Sequence, residues 1–177
     1  MHLKNQKIAI LLAEGVEDLE FFVPYMRLQE EGALVIAAGL DLKPVRGKQG
    51  LGITPEARID SLEPGSLLGL VIPGGWAPDK LRRYEHVTWL VREMHNSGKT
   101  IGIICHGGLV AISAGIVKNR RATGSTGIKD DLINAGATWV DEPAVRDGNL
   151  VWGRVVADIP DFCRLLVNAF NEAAAKP

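Results

Sequence analysis

Four short apolar runs limit what this chain can fold into: KIAILLA at residues 7–13, ALVIAA at 33–38, LLGLVI at 67–72 and TIGII at 100–104. Each is of strand length, continuous rather than alternating, and ends in a glycine-rich or polar break. Such runs suit strands buried on both faces, the pattern of a parallel sheet covered by helices on either side.

The intervening segments show helical spacing. Glu17 to Glu31 carries an apolar stripe through Leu19, Phe22, Val23, Met26 and Leu28, with Pro24 allowing at most a kink. His86 to Asn96, Leu109 to Ala114, Gly127 to Ala135 and Pro160 to Ala174 follow, the last with a stripe of Phe162, Leu165, Leu166, Ala169 and Phe170. Residues 41–60, rich in Gly and Pro, predict a small hairpin excursion. Thr138 to Val140 predicts a short strand, and Ala144 to Trp152 a hairpin turning at Asp147-Gly148-Asn149. The order predicts an α/β, flavodoxin-like doubly wound sandwich with a mostly parallel sheet and helices on both faces. A chain of 177 residues suits one domain over its whole length.

Charge excludes several functions. A formal net charge of -1, with basic residues scattered, gives no electrostatic case for nucleic acid or an anionic membrane surface. The N-terminal MHLKNQK has neither the apolar length nor the cleavage site of a signal peptide, no run approaches membrane-spanning length, and the expectation is a cytoplasmic protein. The two cysteines, Cys105 and Cys163, are then expected as free thiols. His86 and His95 share a helix without other ligands at metal spacing and His2 sits at the terminus, so neither a metal nor a cofactor is expected.

In such sheets chemistry gathers at the carboxyl ends of the strands. Three of those ends carry reactive or permissive residues: Glu14 to Asp18, Pro73-Gly74-Gly75, and Cys105-His106-Gly107. The third is a nucleophile elbow, a sharp strand-to-helix turn that tolerates little side chain just after its tip, a need that Gly107 meets. The helix behind it favours thiolate over thiol, and its amides, with one from Gly75, could hold an oxyanion. His106 has two readings, as a general base through its ring or as a donor through its backbone amide. Any one of Glu14, Glu17, Asp18 and Glu20 could reach the sulfur across the crevice; equally, they stabilise a helix start. Cys163, beside Phe162, reads as core.

The segments AEGVEDLEFFVPYMRLQEEG, VIPGGWAPDKLR, GKTIGIICHGGLVAISAG and GIKDDLINAGATWVDEPAVRDGNLVWGR together resemble the PfpI family, the protease-like and protein deglycase-like branch of the class I glutamine amidotransferase superfamily. The resemblance implies Cys105 as nucleophile with His106 as partner, Glu17 as the pocket glutamate that hydrogen-bonds the sulfur, and an oxyanion hole around Gly74, Gly75 and the His106 backbone. It implies a homo-oligomer, a dimer or dimer-based hexamer, in which Asp79 of an adjoining subunit completes a Cys-His-acid set, although an aspartate is shorter than the glutamate common there. Gly108 and Leu109 also depart from the family's Cys-His-Gly-Pro pattern, and Ser125 and Thr126 replace an aromatic and a proline.

The function implied is a cysteine hydrolase acting as a protein deglycase or cofactor-independent glyoxalase, on small reactive aldehydes such as methylglyoxal and glyoxal or on side chains glycated by them. The alternatives are an intracellular cysteine peptidase and a stress protein that senses oxidants through Cys105 without turnover.

Overall fold

The computed structural model describes residues 3–175. The chain begins with β1 (Lys7–Leu12), α1 (Asp18–Glu30) and β2 (Leu34–Gly39), then makes a hairpin of β3 (Val45–Arg46) and β4 (Gly52–Ile53), followed by β5 (Ala57–Arg58). It continues through β6 (Gly69–Ile72), α2 (Ala77–Leu81), α3 (Glu85–Asn96), β7 (Thr100–Ile104) and α4 (Gly108–Ala114). The last third holds β8 (Arg121–Ala122), α5 (Lys129–Asn134), β9 (Thr138–Trp139), the hairpin β10 (Ala144–Asp147) and β11 (Leu150–Gly153), and α6 (Ile159–Ala174).

The main sheet runs in the order β10-β11-β7-β6-β1-β2-β5. All its pairings are parallel except β10 with β11. Its central strands are buried throughout, as their unbroken apolar runs require: every residue of β6, β7 and β11 is shielded, as is β1 beyond Lys7. Helices α1 and α6 pack together, as do α3 and α4, with the sheet between the two groups. The doubly wound expectation thus holds. Three short elements lacked a sequence signal: α2, the edge strand β5, and β8, which pairs with β9 outside the main sheet. Two-residue strands are too short to show periodicity.

One expectation fails in an instructive way. Much of the apolar stripe of α1 turns away from the core: Leu19, Val23 and Met26 are exposed, while Leu28 of that stripe is buried together with Asp18, Glu20, Phe21 and Pro24. The helix is turned so that two carboxylates point inward, because each meets backbone N–H groups there. Asp18 accepts from Gln49 (2.7 Å) and Leu51 (2.9 Å), and Glu20 accepts from Gly74 (2.7 Å). A buried carboxylate with N–H partners keeps most of what it loses in leaving water, so specific partners override the stripe.

Helix α6 approaches the sheet closely because glycines face it. A Cβ on Gly102 of β7 would lie 2.7 Å from Leu166 and 3.1 Å from Phe162, and one on Gly153 of β11 would lie 2.9 Å from Phe162. Phe162 is fully buried in that space. Phe162→Ala is expected to cost about 3–5 kcal/mol, since a rigid sheet and helix cannot close on the cavity. Urea denaturation of both proteins measures this, and a loss under about 1 kcal/mol would show that α6 relaxes inward.

Candidate active site

The carboxyl ends of β1, β6 and β7 meet where the strand order reverses, with β1 between β2 and β6, the position at which open parallel sheets form a crevice. The loop after β1 is stitched to the loop after β6: Glu17 N–H donates to Gly74 O (3.2 Å) and Trp76 N–H donates to Gly15 O (2.8 Å). Gly75 has φ 77°, where an added Cβ would collide with the Glu17 and Gly15 backbone.

Cys105 sits directly after β7 with φ 58°, a left-handed conformation costly for a side-chain-bearing residue and of order 1–3 kcal/mol. It is followed by a single tight turn, Cys105–Gly107, before α4. Gly107 has no room for a Cβ against the Ile72 carbonyl, so it permits the turn by closeness and does not line the cavity. This is the elbow that the sequence predicts.

The sulfur opens into a cavity of about 370 Å³. Glu17, Glu20, Lys48, Gly75, Trp76 and His106 form its polar and aromatic wall, and Ser125 and Val155 to Ala157 close the other side. The His106 ring turns toward the sulfur, with Nδ1 3.3 Å from Sγ. Burial, reinforced by Lys48, lowers the His106 pKa, so this ring is held neutral and suited to exchange a proton. The backbone N–H groups of His106 and Gly75 are both directed at Cys105. Each is placed to serve an oxyanion formed by attack of Cys105.

Two predicted roles change. The acid beside the sulfur is Glu20: its Oε2 accepts from Gly74 N–H (2.7 Å), its Oε1 is buried without a hydrogen-bond partner, and both it and Cys105 line the same cavity. Glu17 instead occupies the N-cap of α1 and pairs with Lys48 at 3.5 Å on the cavity wall. One helical turn separates them, and both line the cavity, Glu17 beside Lys48 and Glu20 against Gly74. Gly74 supplies its N–H to Glu20 and is therefore unavailable to an oxyanion; a Cβ there would lie 2.6 Å from the Glu20 carboxylate and 2.9 Å from Cys105 Cβ. Asp79, on α2, is exposed, ion-paired to Arg83 and outside the cavity of its own chain.

The thiolate expectation also reverses. Burial, then the charge of Glu20, pushes the Cys105 thiol up to about 12, outweighing the lowering by the His106 and Gly75 amides. Burial likewise raises Glu20 to about 7. Below about 7 both groups are protonated; above it Glu20 is ionised while the sulfur keeps its proton, which places a carboxylate able to act as base beside a thiol. Among the described residues no cluster of three or more His, Cys, Asp or Glu could hold a metal, and no helix is long and apolar enough to cross a membrane. Cys105 and Cys163 are both free thiols. His2 lies outside the described residues.

With this geometry in view, a profile of the DJ-1/PfpI family matches residues 6–169. The chain belongs to the DJ-1/PfpI family. It is 41% identical over 161 residues to a deglycase of Pyrococcus horikoshii, covering 91% of this chain and 97% of that one. Protein/nucleic acid deglycase 2 of Escherichia coli is 36% identical over 163 residues, covering 90% and 95%. Among solved structures, it resembles a two-domain protein of Anabaena variabilis with DJ-1/ThiJ/PfpI-like and ferritin-like domains, at TM-score 0.93 and 34% identity over 98% of this chain and half (50%) of that one. Drosophila melanogaster DJ-1beta matches at TM-score 0.87 and 25% identity, over 97% and 92%.

Sequence reasoning counted Glu20 among four acids able to reach the sulfur while the resemblance singled out Glu17, and it missed Lys48 and the apolar wall of Val155 to Ala157. Glu20 was within reach, since it lies one turn beyond Glu17 in the same acidic group; Lys48 carried no local signal.

Glu20 also has a measurable effect on stability. Its carboxyl is raised from 4.5 to about 7 in the fold, so the folded chain keeps a proton that the unfolded chain releases, and stability falls as pH rises through that window. Glu20→Gln keeps an acceptor for Gly74 and removes the charge. The variant should be more stable than wild type by about 3 kcal/mol at pH 8 and equal to it at pH 4, read by chemical denaturation across pH. A pH-independent difference would contradict the raised carboxyl.

Proposed function

We propose that this protein is a cysteine-dependent deglycase and glyoxalase, a cytoplasmic hydrolase acting on methylglyoxal, glyoxal and the adducts they form on protein side chains. The observation that carries the reading is the pairing of a half-buried thiol with a carboxyl raised to about 7, beside an imidazole 3.3 Å from the sulfur and two backbone donors, in a cavity of about 370 Å³. That volume suits a small adduct better than a length of peptide. The relatives named deglycases support the same conclusion.

The chemistry follows from the groups present. Glu20 accepts the thiol proton as Sγ of Cys105 adds to the aldehyde carbon, and the Gly75 and His106 amides bind the oxygen that gains charge. The proton returns to that oxygen, giving a hemithioacetal. Removal of the hydrogen on the former aldehyde carbon and its return at the neighbouring carbon convert the adduct to a 2-hydroxyacyl thioester. Water then releases lactate or glycolate and restores the thiol. No external oxidant enters, because the aldehyde carbon is oxidised as the adjacent carbonyl is reduced.

A homo-oligomer belongs to this proposal. The exposed stripe of Leu19, Val23 and Met26 on α1 supports it, and Asp79, itself exposed, is the acid that the proposal assigns to the His106 of an adjoining subunit, with a side chain one methylene shorter than a glutamate.

Lactate formation from methylglyoxal should vanish in Cys105→Ala and show an acid limb with apparent pKa about 7 in wild type, below which Glu20 is protonated and cannot accept the thiol proton. Lactate release unchanged in Cys105→Ala would refute the reading. Cleavage of an unmodified fluorogenic peptide, without lactate formation, would replace it with a peptidase.

A further inference from the structure

The hairpin of β3 and β4 is tied to the active-site loops at almost every residue of its tip. Gly15 N–H donates to Arg46 O (2.8 Å), Arg46 N–H to the Glu14 carboxylate (2.9 Å) and Lys48 N–H to Val16 O (2.8 Å). Both oxygens of the buried Asp18 carboxylate receive the N–H groups of Gln49 and Leu51, and Gly47 packs so closely on that carboxylate that no Cβ would fit. A buried carboxylate used in this way fixes a loop far more tightly than a surface turn requires.

The product of this clamping is the placement of one side chain. Lys48 reaches the cavity wall, its ammonium 3.5 Å from Glu17 and 5.9 Å from the centre of the Trp76 ring. Among the described residues lining the cavity, it is the one cationic side chain besides the titratable His106. At 3.5 Å the contact with Glu17 is too long to be a strong hydrogen bond, so the ammonium, with three donors, retains capacity for a ligand. Glu17 thereby acquires a role that differs from a partnership with sulfur: it holds the Lys48 head against the wall.

From this placement we infer that Lys48 is a further catalytic residue, one that binds the second oxygen of a 1,2-dicarbonyl adduct and stabilises the enediolate formed from it. The inference rests on the deglycase and glyoxalase reading of the site. A dicarbonyl carries two adjacent oxygens. The first, on the carbon that Cys105 attacks, is served by the Gly75 and His106 amides. When the C–H of the hemithioacetal is broken, its electron pair forms the carbon–carbon double bond and the carbonyl electrons move to the second oxygen, which becomes anionic. The cavity that receives this oxygen is lined by Glu17 and Glu20, both acidic, so the charge needs a fixed cation, and Lys48 supplies one on that wall. The hydroxyl proton of the first oxygen passes to the second, and the Glu20 carboxyl, having taken the C–H proton, returns it to the neighbouring carbon as the first oxygen becomes the thioester carbonyl.

The test compares wild type, Lys48→Met and Lys48→Arg with methylglyoxal. Intact-mass spectrometry follows the adduct on Cys105, and lactate release follows its conversion. Lys48→Met is expected to form the adduct at a rate near that of wild type and to release lactate about 100-fold more slowly, a typical loss for removal of one oxyanion donor, so that the adduct accumulates. Lys48→Arg should restore at least a tenth of the rate. With methylglyoxal deuterated at the aldehyde carbon, the isotope effect on lactate release should be larger in Lys48→Met than in wild type. Equal lactate release in wild type and Lys48→Met overturns the inference, as does a parallel loss of adduct formation and turnover, which would show a structural role. Absence of any Cys105 adduct in wild type would instead remove the deglycase reading itself.

Discussion

The packing of the Glu20 carboxyl beside the Cys105 thiol is the constraint around which the site is arranged. Neither group is at ease where it sits: burial raises both, and the charge on one opposes a charge on the other. The fold tolerates this because Gly74 donates to one oxygen of the carboxyl and the amides of Gly75 and His106 point at the sulfur. A carboxyl at about 7 is as unfavourable to stability as it is useful to proton transfer, the usual exchange between a stable core and a working site.

The rest of the architecture positions that pair. Strand β7 delivers Cys105 in a left-handed conformation, β6 delivers the glycines that approach it without side chains, and the first turn of α1 delivers Glu20 from the opposite side. These elements converge because β1, β6 and β7 are neighbours in one parallel sheet and end on the same edge. The hairpin after β2 is part of the same construction rather than an ornament on it, since the Asp18 carboxylate binds its tip.

How far the sequence revealed this depended on whether the signal was local. Strand runs such as Ile8 to Leu12 and Thr100 to Ile104 are unmistakable because both faces are buried, and the elbow at Cys105 is legible because a tight turn imposes its residues on its own neighbours. The choice between Glu17 and Glu20 depended on the rotation of α1 about its axis. There the apolar pattern misleads, since Leu19, Val23 and Met26 lie outward. Lys48 was hidden altogether: its position follows from hydrogen bonds between segments about thirty residues apart, which no window of sequence contains. The helix behind Cys105 promised an anionic sulfur, and burial, a property of the whole fold, decided otherwise.

The most direct measurement of the central claim is a carbon-13 NMR titration of the Glu20 side-chain carboxyl in the folded protein, followed alongside the Cβ of Cys105. The account predicts that Glu20 titrates near 7 while the Cys105 Cβ keeps its thiol position through neutral pH. A Glu20 carboxyl titrating near the ordinary 4.5, with Cys105 already anionic at neutral pH, would contradict it.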